Sequence, residues 1–429
     1  MNTTTATQLI QSNLSRYTNR LHFFFSKPKV KFIQHMLFGM LASGKVYLSE
    51  IGRSLGESIP LKKTTERLSR NLGQEGFADE LMEANLFLQK RNLRRCNFLI
   101  YDGSDIEKVY AQKMPGLARV WNGSKKKTTN GYWWSNIIGI SGDGRSIIPA
   151  YSELYSLDME SSSENQKILK GIKAVHKVCH RDVITVIDRG GDRRKLYEPL
   201  LDAGIYFITR LTKKRNILYR GKLQNVQRLA QKMDKPVTLT GVSKKNNRWV
   251  RNTYQGGACR VSLPYENDNR PYKGNSIWLI SLHRQGGGYS FFLASLPDSI
   301  QTLQDALMKV FEGYGHRWKI EEVHRQIKQD YHLEEICVRR YEALKNFIAL
   351  VFVMVGFLFT KLKPLGHNMT LLSRLNLLYR RKLKEISGFI YYKLAAIVRI
   401  CLSGTRKNRK RTPRNAVNSL QLILNLDSY

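Results

Sequence analysis

Asp182-Val-Ile-Thr-Val-Ile-Asp188 and Cys96-Asn-Phe-Leu-Ile-Tyr-Asp102 read alike: each is a short, mostly apolar run that ends on an aspartate. Runs of this length, without helical spacing, fit strands buried on both faces. A carboxylate is costly to bury, so each aspartate marks a place where its strand meets solvent. In sheets of this kind that place is the crevice where ligands bind. Working outward, Gly131 to Ile140 and Ser146 to Tyr155 read as two more strands, joined by the turn Ser141-Gly-Asp-Gly144. Glu164 to Val178 and Arg194 to Ala203 carry helical spacing, and Ile205 to Thr209 makes a fifth strand. Three strands followed by strand–helix alternation predict an α/β fold, a mixed sheet covered by helices.

The whole chain bounds what such a sheet can serve. Its 429 residues exceed one ordinary domain, and 42% hydrophobic content is enough to build cores. Lys+Arg 71 against Asp+Glu 34 gives a formal net charge of +37, spread along the chain. A balance this basic calls for a polyanion, with nucleic acid first and an anionic membrane surface second. Five scattered cysteines form no C-x-x-C pair, so neither a disulfide framework nor a zinc site is indicated. The polar start Met1-Asn-Thr-Thr-Thr lacks signal-peptide order, so a cytoplasmic location is expected. Phe347 to Phe359 is almost wholly apolar but spans 13 residues. A bilayer needs roughly 20, so a buried core helix is expected and no membrane partner.

Residues 1–90 read as a helical unit. Leu48 to Gly56 has Ser49 as a candidate N-cap and Gly56 as a stop. A second helix opens after Ser58-Ile-Pro60, with Leu61, Leu68 and Leu72 apolar and Lys62, Lys63, Arg67 and Arg70 pointing elsewhere. Two short helices about a glycine turn, the second one basic, suggest a helix-turn-helix DNA reader, although a small helical bundle shows the same pattern. The core then occupies 91–212 and resumes over 297–365. Between them, 213–296 reads as a β-rich insertion, with strand runs at Val237 to Thr240, Trp249 to Tyr254, Ser276 to Leu282 and Tyr289 to Ala294. Residues 366–429 form a basic C-terminal region, expected to be helical.

The stretch Tyr314-Gly-His-Arg-Trp-Lys-Ile-Glu-Glu-Val-His-Arg-Gln-Ile-Lys328 adds a third carboxylate. On one continuous helix counted from Tyr314, Arg317, Glu321 and Lys328 fall at about 300°, 340° and 320°, within one narrow arc. Ile320, Val323, Ile327 and Tyr331 take a separate face. Glu322 lies outside the polar arc, at about 80°. A solvated helix laced with ion pairs would look the same. With Asp102 and Asp188, however, Glu321 makes three carboxylates on a strongly basic chain. Such a group repels itself unless cations sit within it. Oxygen ligands suit magnesium or manganese, and two such ions would activate the attacking oxygen and stabilise the leaving oxygen of a phosphodiester. Asp105, in Asp102-Gly-Ser-Asp105, competes with Asp102 for the first position.

The spacing Tyr314-x2-Arg317-x3-Glu321-x6-Lys328 resembles the YREK signature of DDE transposases from bacterial insertion sequences. That branch, the insertion-sequence-four-like group, includes cut-and-paste composite-transposon enzymes. Asp188-Arg-Gly-Gly-Asp192 resembles its Asp-Arg-x-x-Asp motif, and the similarity runs from the N-terminal unit to at least residue 360. Ser104 stands where relatives often carry threonine.

The resemblance implies an RNase H-like core with Asp102, Asp188 and Glu321 as catalytic, metal-binding residues for two Mg2+ or Mn2+ ions. It implies that Tyr314, Arg317 and Lys328 contact DNA phosphates, with Arg189 beside them, while Lys62, Lys63, Arg67 and Arg70 serve end binding. Asp192 and Arg189 also fit a helix cap and its partner. Family members that form hairpins stack a flipped base on an aromatic of the β insertion, where Tyr289, Phe291 and Phe292 are candidates. The expected partners are double-stranded transposon ends and target DNA, with a homodimer in the synaptic complex and 366–429 as a candidate dimerisation region. The expected activity is cleavage of those ends and joining of their 3′-OH groups to target DNA. A metal-dependent nuclease without strand transfer and a non-catalytic DNA-binding repressor are the other readings of the same basic surface.

Overall fold

The computed structural model describes residues 3–123, 127–245, 248–265, 268–362 and 390–409. The chain opens with α1 (Thr3–Asn19), α2 (Lys27–Ser43), α3 (Leu48–Leu55), α4 (Leu61–Leu72) and α5 (Phe77–Leu93). Gly56 ends α3 in the left-handed conformation (φ 62°), as its position after the last apolar residue predicts. Ser49 does not cap that helix. The N-cap is Tyr47, extended and without a side-chain bond, because the helix already begins at Leu48.

The sheet begins with β1 (Cys96–Glu107), β2 (Ala118–Asn122), β3 (Lys127–Ser141) and β4 (Ile147–Tyr155). After α6 (Glu164–His176), β5 (Ile184–Ile187), α7 (Arg194–Asp202) and β6 (Tyr206–Arg210) supply the strand–helix alternation. Ser163 and Gln166 close a reciprocal capping box at the start of α6. The region 213–296 holds β7 (Asn216–Tyr219), β8 (Lys222–Asn225), α8 (Val226–Lys232), β9 (Val237–Lys245), β10 (Arg248–Val261), β11 (Pro264–Tyr265), β12 (Asp268–Pro271), β13 (Ile277–Arg284) and β14 (Tyr289–Ser295). The described part then closes with α9 (Leu303–Gly315), α10 (Trp318–Asp330), α11 (Tyr341–Phe357) and α12 (Ile390–Arg409).

Among the described residues one ten-stranded sheet runs β2-β3-β1-β5-β6-β14-β13-β10-β9, with β4 also on β3. The pairs β1–β5 and β5–β6 are parallel and the others antiparallel. The sheet is therefore mixed. The long strands of 213–296 extend it, because β14 pairs with the open edge of β6 from Phe292↔Arg210 to Ser295↔Phe207. The insertion is β-rich, but its long strands form one sheet with the core.

The N-terminal helices likewise share the core. The segment Tyr341–Leu362 is long and apolar enough to cross a bilayer, yet most of its side chains are buried in protein. It packs against β4, α5, α2 and α4. Polar groups pin these contacts where the backbone is irregular. Pro149 has no N–H to give the ladder, and the β3–β4 register shifts beside it. The buried Asn85 amide of α5 donates to the carbonyls of Pro149 (3.1 Å) and Ala150 (2.8 Å). Asn346 of α11 donates to the carbonyls of Leu72 (2.8 Å) and Gln74 (2.6 Å), where α4 has ended. Outside α12, the candidate dimerisation region 366–429 lies beyond the described residues.

Candidate active site

The two aspartates meet through strand register. In the parallel β1–β5 pair, Phe98 faces Ile184 and Tyr101 faces Ile187, so Asp102 and Asp188 are the next residues on adjacent strands. Asp102 does not end its strand as expected. β1 runs on to Glu107 because its other neighbour, β3, continues beside it from Asp102↔Asn136 to Glu107↔Gly131. Asp102 sits instead where the parallel neighbour departs, and that departure opens the cleft. Asp105 is buried and paired with Lys328 at 3.5 Å.

The third carboxylate comes from the helices laid over this opening. The stretch 314–328 is not one helix. α9 ends at Gly315, and α10 starts at Trp318. At the junction the backbone bonds tighten to i→i+3, from His316 N–H to the Gly313 carbonyl and from Arg317 N–H to the Tyr314 carbonyl, both 3.1 Å. The glycines at 313 and 315, poor helix formers, account for the break. The apolar face survives it: Ile320, Val323, Ile327 and Tyr331 are all buried.

The polar stripe divides. Tyr314 Oη donates to Asp188 Oδ1 at 2.7 Å. Arg317 pairs with Glu321 and lies 3.9 Å from Asp188 Oδ2. Lys328, further along α10, reaches Asp105 and the Glu334 carboxylate (3.2 Å) instead. Glu322 pairs with Arg325.

These contacts set unequal charges. Burial pushes Asp102 up to about 7; Arg317 opposes the rise, and Glu321 and Asp188 add to it. Burial also raises Asp188, but the Tyr314 hydroxyl, the Arg189 backbone N–H and Arg317 outweigh it and hold this carboxyl below its ordinary range. Tyr314 is pushed up to about 12 by burial and by Asp188.

The three acids share a cleft of about 770 Å³, which Ser104, Trp121 and Lys328 also line. His324 belongs to it too, a residue that the sequence reading passed over. It lies one turn beyond Glu321, and that i+3 spacing was the available signal. Its ring is buried against Trp134, centroids 5.0 Å apart, with Nδ1 3.7 Å from Asp102 Oδ2. Burial, then Lys328, lowers its pKa to about 3, so the imidazole is neutral.

As they stand, no three His, Cys, Asp or Glu side chains among the described residues are gathered closely enough to hold a metal ion. Arg317 occupies Asp188 and Glu321 instead. The donor set still fits a hard divalent cation: it is all oxygen, and the charges of Glu321 and Asp188 add to the rise at Asp102.

The other expected site residues divide by accessibility. Phe291 and Phe292 are each 2% exposed, and Phe292 packs on the Tyr314 ring at 4.7 Å, so neither presents a face to a base. Tyr289 is half-buried and stacked on His283 at 4.4 Å. Arg189 is exposed in the turn after β5. Asp192 is a structural clamp and not a cap: it accepts from Tyr197 (2.9 Å), the Thr212 N–H and Arg215 (both 2.7 Å). On α4, Lys62, Lys63 and Arg70 are exposed, whereas Arg67 is bound to both oxygens of Glu57, at 2.6 and 2.7 Å.

With this geometry in place, the family comparison is informative. Residues 98–356, more than half of the chain and the span from β1 to α11, match the family described as Transposase DDE domain. The chain belongs to that family of transposases, enzymes that act on DNA. No curated protein matches it. Among solved structures, it is similar to a piggyBac transposase in a synaptic complex with hairpin DNA, seen by cryo-EM. That similarity has 10% identity and a TM-score of 0.44 over 98% of this chain and 83% of the other, too distant to assign anything further.

Proposed function

We propose that this chain is a transposase of the YREK-signature branch of bacterial insertion-sequence enzymes. It binds the element's ends through the helices of residues 1–90, cleaves them by metal-dependent hydrolysis and joins their 3′-OH groups to target DNA. It works as a homodimer on paired ends, in the bacterial cytoplasm. The observation that carries this reading is the Tyr101↔Ile187 rung, which sets Asp102 and Asp188 side by side beneath Glu321. The strand order β4-β3-β1-β5-β6, three antiparallel strands followed by two parallel, supports an RNase H-like core.

In this reading Asp102, Asp188 and Glu321 would hold two Mg2+ or Mn2+ ions. Such ions, when bound, would supply the positive charge that activates an attacking oxygen and stabilises the leaving one. The chain's own residues do the rest. Arg317 and Lys328 hold the phosphates beside the cleaved bond, Arg317 with its planar fork and Lys328 as a point charge. Tyr314 keeps Asp188 ionised and oriented. Exposed Lys62, Lys63 and Arg70 hold duplex backbone on α4.

The test uses DNA that flanks the gene on both sides, incubated with purified protein and Mg2+. The wild type is expected to cut at short inverted repeats, and Asp188→Asn to bind the same fragment without cutting it. Cutting by Asp188→Asn would sink the triad assignment. Precleaved ends offered with a plasmid are expected to be joined to it, and a nuclease would leave them free.

A further inference from the structure

The cations of the cleft are already engaged by the protein's own carboxylates. Arg317 pairs with Glu321, stands 3.9 Å from Asp188 and lies 5.7 Å from the centre of the Tyr314 ring. Lys328 divides itself between Asp105 at 3.5 Å and Glu334 at 3.2 Å. Both cations are largely covered, with side-chain exposures of 22% and 21%. Ion pairs sheltered in this way are felt more strongly than pairs on an open surface.

This arrangement has a consequence for the order of binding. A guanidinium on Asp188 and Glu321 neutralises the same two carboxylates that a divalent cation would need. The two forms of positive charge exclude each other there. A phosphodiester offers Arg317 another partner, because its oxygens match the planar guanidinium fork as a carboxylate does.

We propose that Arg317 is an internal counterion of the acidic cleft. It closes Asp188 and Glu321 to divalent cations until a DNA phosphate draws it away, so that DNA and metal bind cooperatively. The inference rests on the triad assignment under Proposed function. Lys328 repeats the exchange on a smaller scale, leaving Asp105 and Glu334 for phosphate. Because equilibrium coupling is reciprocal, the metal must also tighten DNA binding by the same factor.

The test measures Mn2+ binding to the full-length protein, from the spectroscopic signal of free Mn2+, with and without a short blunt duplex carrying the gene's flanking DNA. Mn2+ taken up by duplex alone is subtracted. The duplex is expected to tighten Mn2+ binding to the wild type by about tenfold or more, within the usual range of such couplings. Arg317→Gln is expected to bind Mn2+ without duplex as tightly as the wild type does with it. Arg325→Gln removes a cation that lines the same cleft and pairs with Glu322, but leaves Arg317 in place, and is expected to bind duplex-free Mn2+ as the wild type does.

Equal tightening by Arg325→Gln would reduce the effect to the general field of the cleft and overturn the proposal. So would a wild type whose Mn2+ affinity ignores the duplex, a result that needs no variant to fold. Asp188→Asn separates the two levels of inference. If the wild type binds Mn2+ with duplex, Asp188→Asn does not, and Arg317→Gln behaves as wild type, only the counterion role falls. If none of the proteins binds Mn2+ even with duplex, the triad assignment falls with it.

Discussion

Tyr101 and Ile187 form the last rung of the parallel β1–β5 ladder, and the residue after each is an aspartate. Beyond this rung the strands part. β1 stays in the sheet beside β3, while β5 turns into a short 3-10 segment, Arg189–Gly191, closed by the Gly191 N–H on the Asp188 carbonyl at 2.8 Å. That turn orients Asp188 toward Tyr314 and Arg317, and its packing is tight at one point. A Cβ on Gly191 would fall 2.3 Å from Ile187 Cγ2.

Gly191→Ala is therefore expected to destabilise the protein by about 1–3 kcal/mol, the usual cost of overpacking a filled site. Gly190→Ala is the control, because a Cβ there meets nothing within 4 Å. Urea midpoints of the two variants decide the matter. Equal midpoints would mean that the turn yields without strain.

A second sensitive point lies in the ion cluster that joins the helices to the sheet. Lys167 of α6 pairs with Glu153 of β4 at 2.8 Å and with Glu160, and the side chains of Lys167 and Glu153 are 9% and 7% exposed. Tyr341 of α11 donates to Glu160 at 2.6 Å, and Lys170 ties Asp79 of α5 at 2.7 Å. Lys167→Met would leave Glu153 buried with too little countercharge, at an expected cost of about 3 kcal/mol. Adding Glu153→Gln is expected to restore part of that loss in a double-mutant cycle. Strictly additive losses would show that the two residues do not depend on each other.

The parts of the site that were legible in the sequence are those set by a local period. An apolar run ending in aspartate picks out Asp102 and Asp188, the residues just past the last rung that β1 and β5 share. The α10 face of Ile320, Val323 and Ile327 follows from helical spacing. Nothing local told that β1 would outlast β5, because that depends on β3 as a second neighbour. The helical count from Tyr314 failed at the Gly313–Gly315 junction for a related reason: it assumed continuous i→i+4 bonding. Burial of Phe291 and Phe292 was hidden because β14 joins β6 and not a separate insertion sheet. Arg67 looked like its exposed neighbours on α4 until Glu57, ten residues earlier, came within reach.

His35 gives the fold a predictable pH dependence. It is 7% exposed on α2, 3.4 Å from Arg67 and 3.9 Å from Glu57. Burial first, then the charge of Arg67, pushes its pKa down to about 4, against about 6.5 in an unfolded chain. Between these values the unfolded chain binds the extra proton, so acid favours unfolding. The His35 contribution is intact above about pH 6.5 and is lost as pH falls toward 4. His176 and His316 are lowered similarly and supply a background common to both proteins. Thermal midpoints of His35→Gln are expected to fall less than those of the wild type between neutral pH and pH 4.5. Parallel curves would rule out the buried neutral imidazole.

In the proposed DNA contact of α4, exposed cations are set apart from one that the protein already holds. Lys62 and Lys63 are exposed, and each phosphate they neutralise releases counterions. Lys62→Ala and Lys63→Ala are each expected to reduce the slope of log affinity against log salt by about one unit, with stability unchanged. Arg67 spends its guanidinium on Glu57 and closes the packing over His35. Arg67→Ala is expected instead to lower stability by about 1 kcal/mol, a modest figure because the pair is partly exposed, and to leave the salt slope at its wild-type value. Filter binding over a salt series and urea melts of the three variants distinguish these roles. A full unit lost from the slope in Arg67→Ala would mean that DNA displaces Glu57, which would make this arginine a second case of the partner exchange assigned to Arg317.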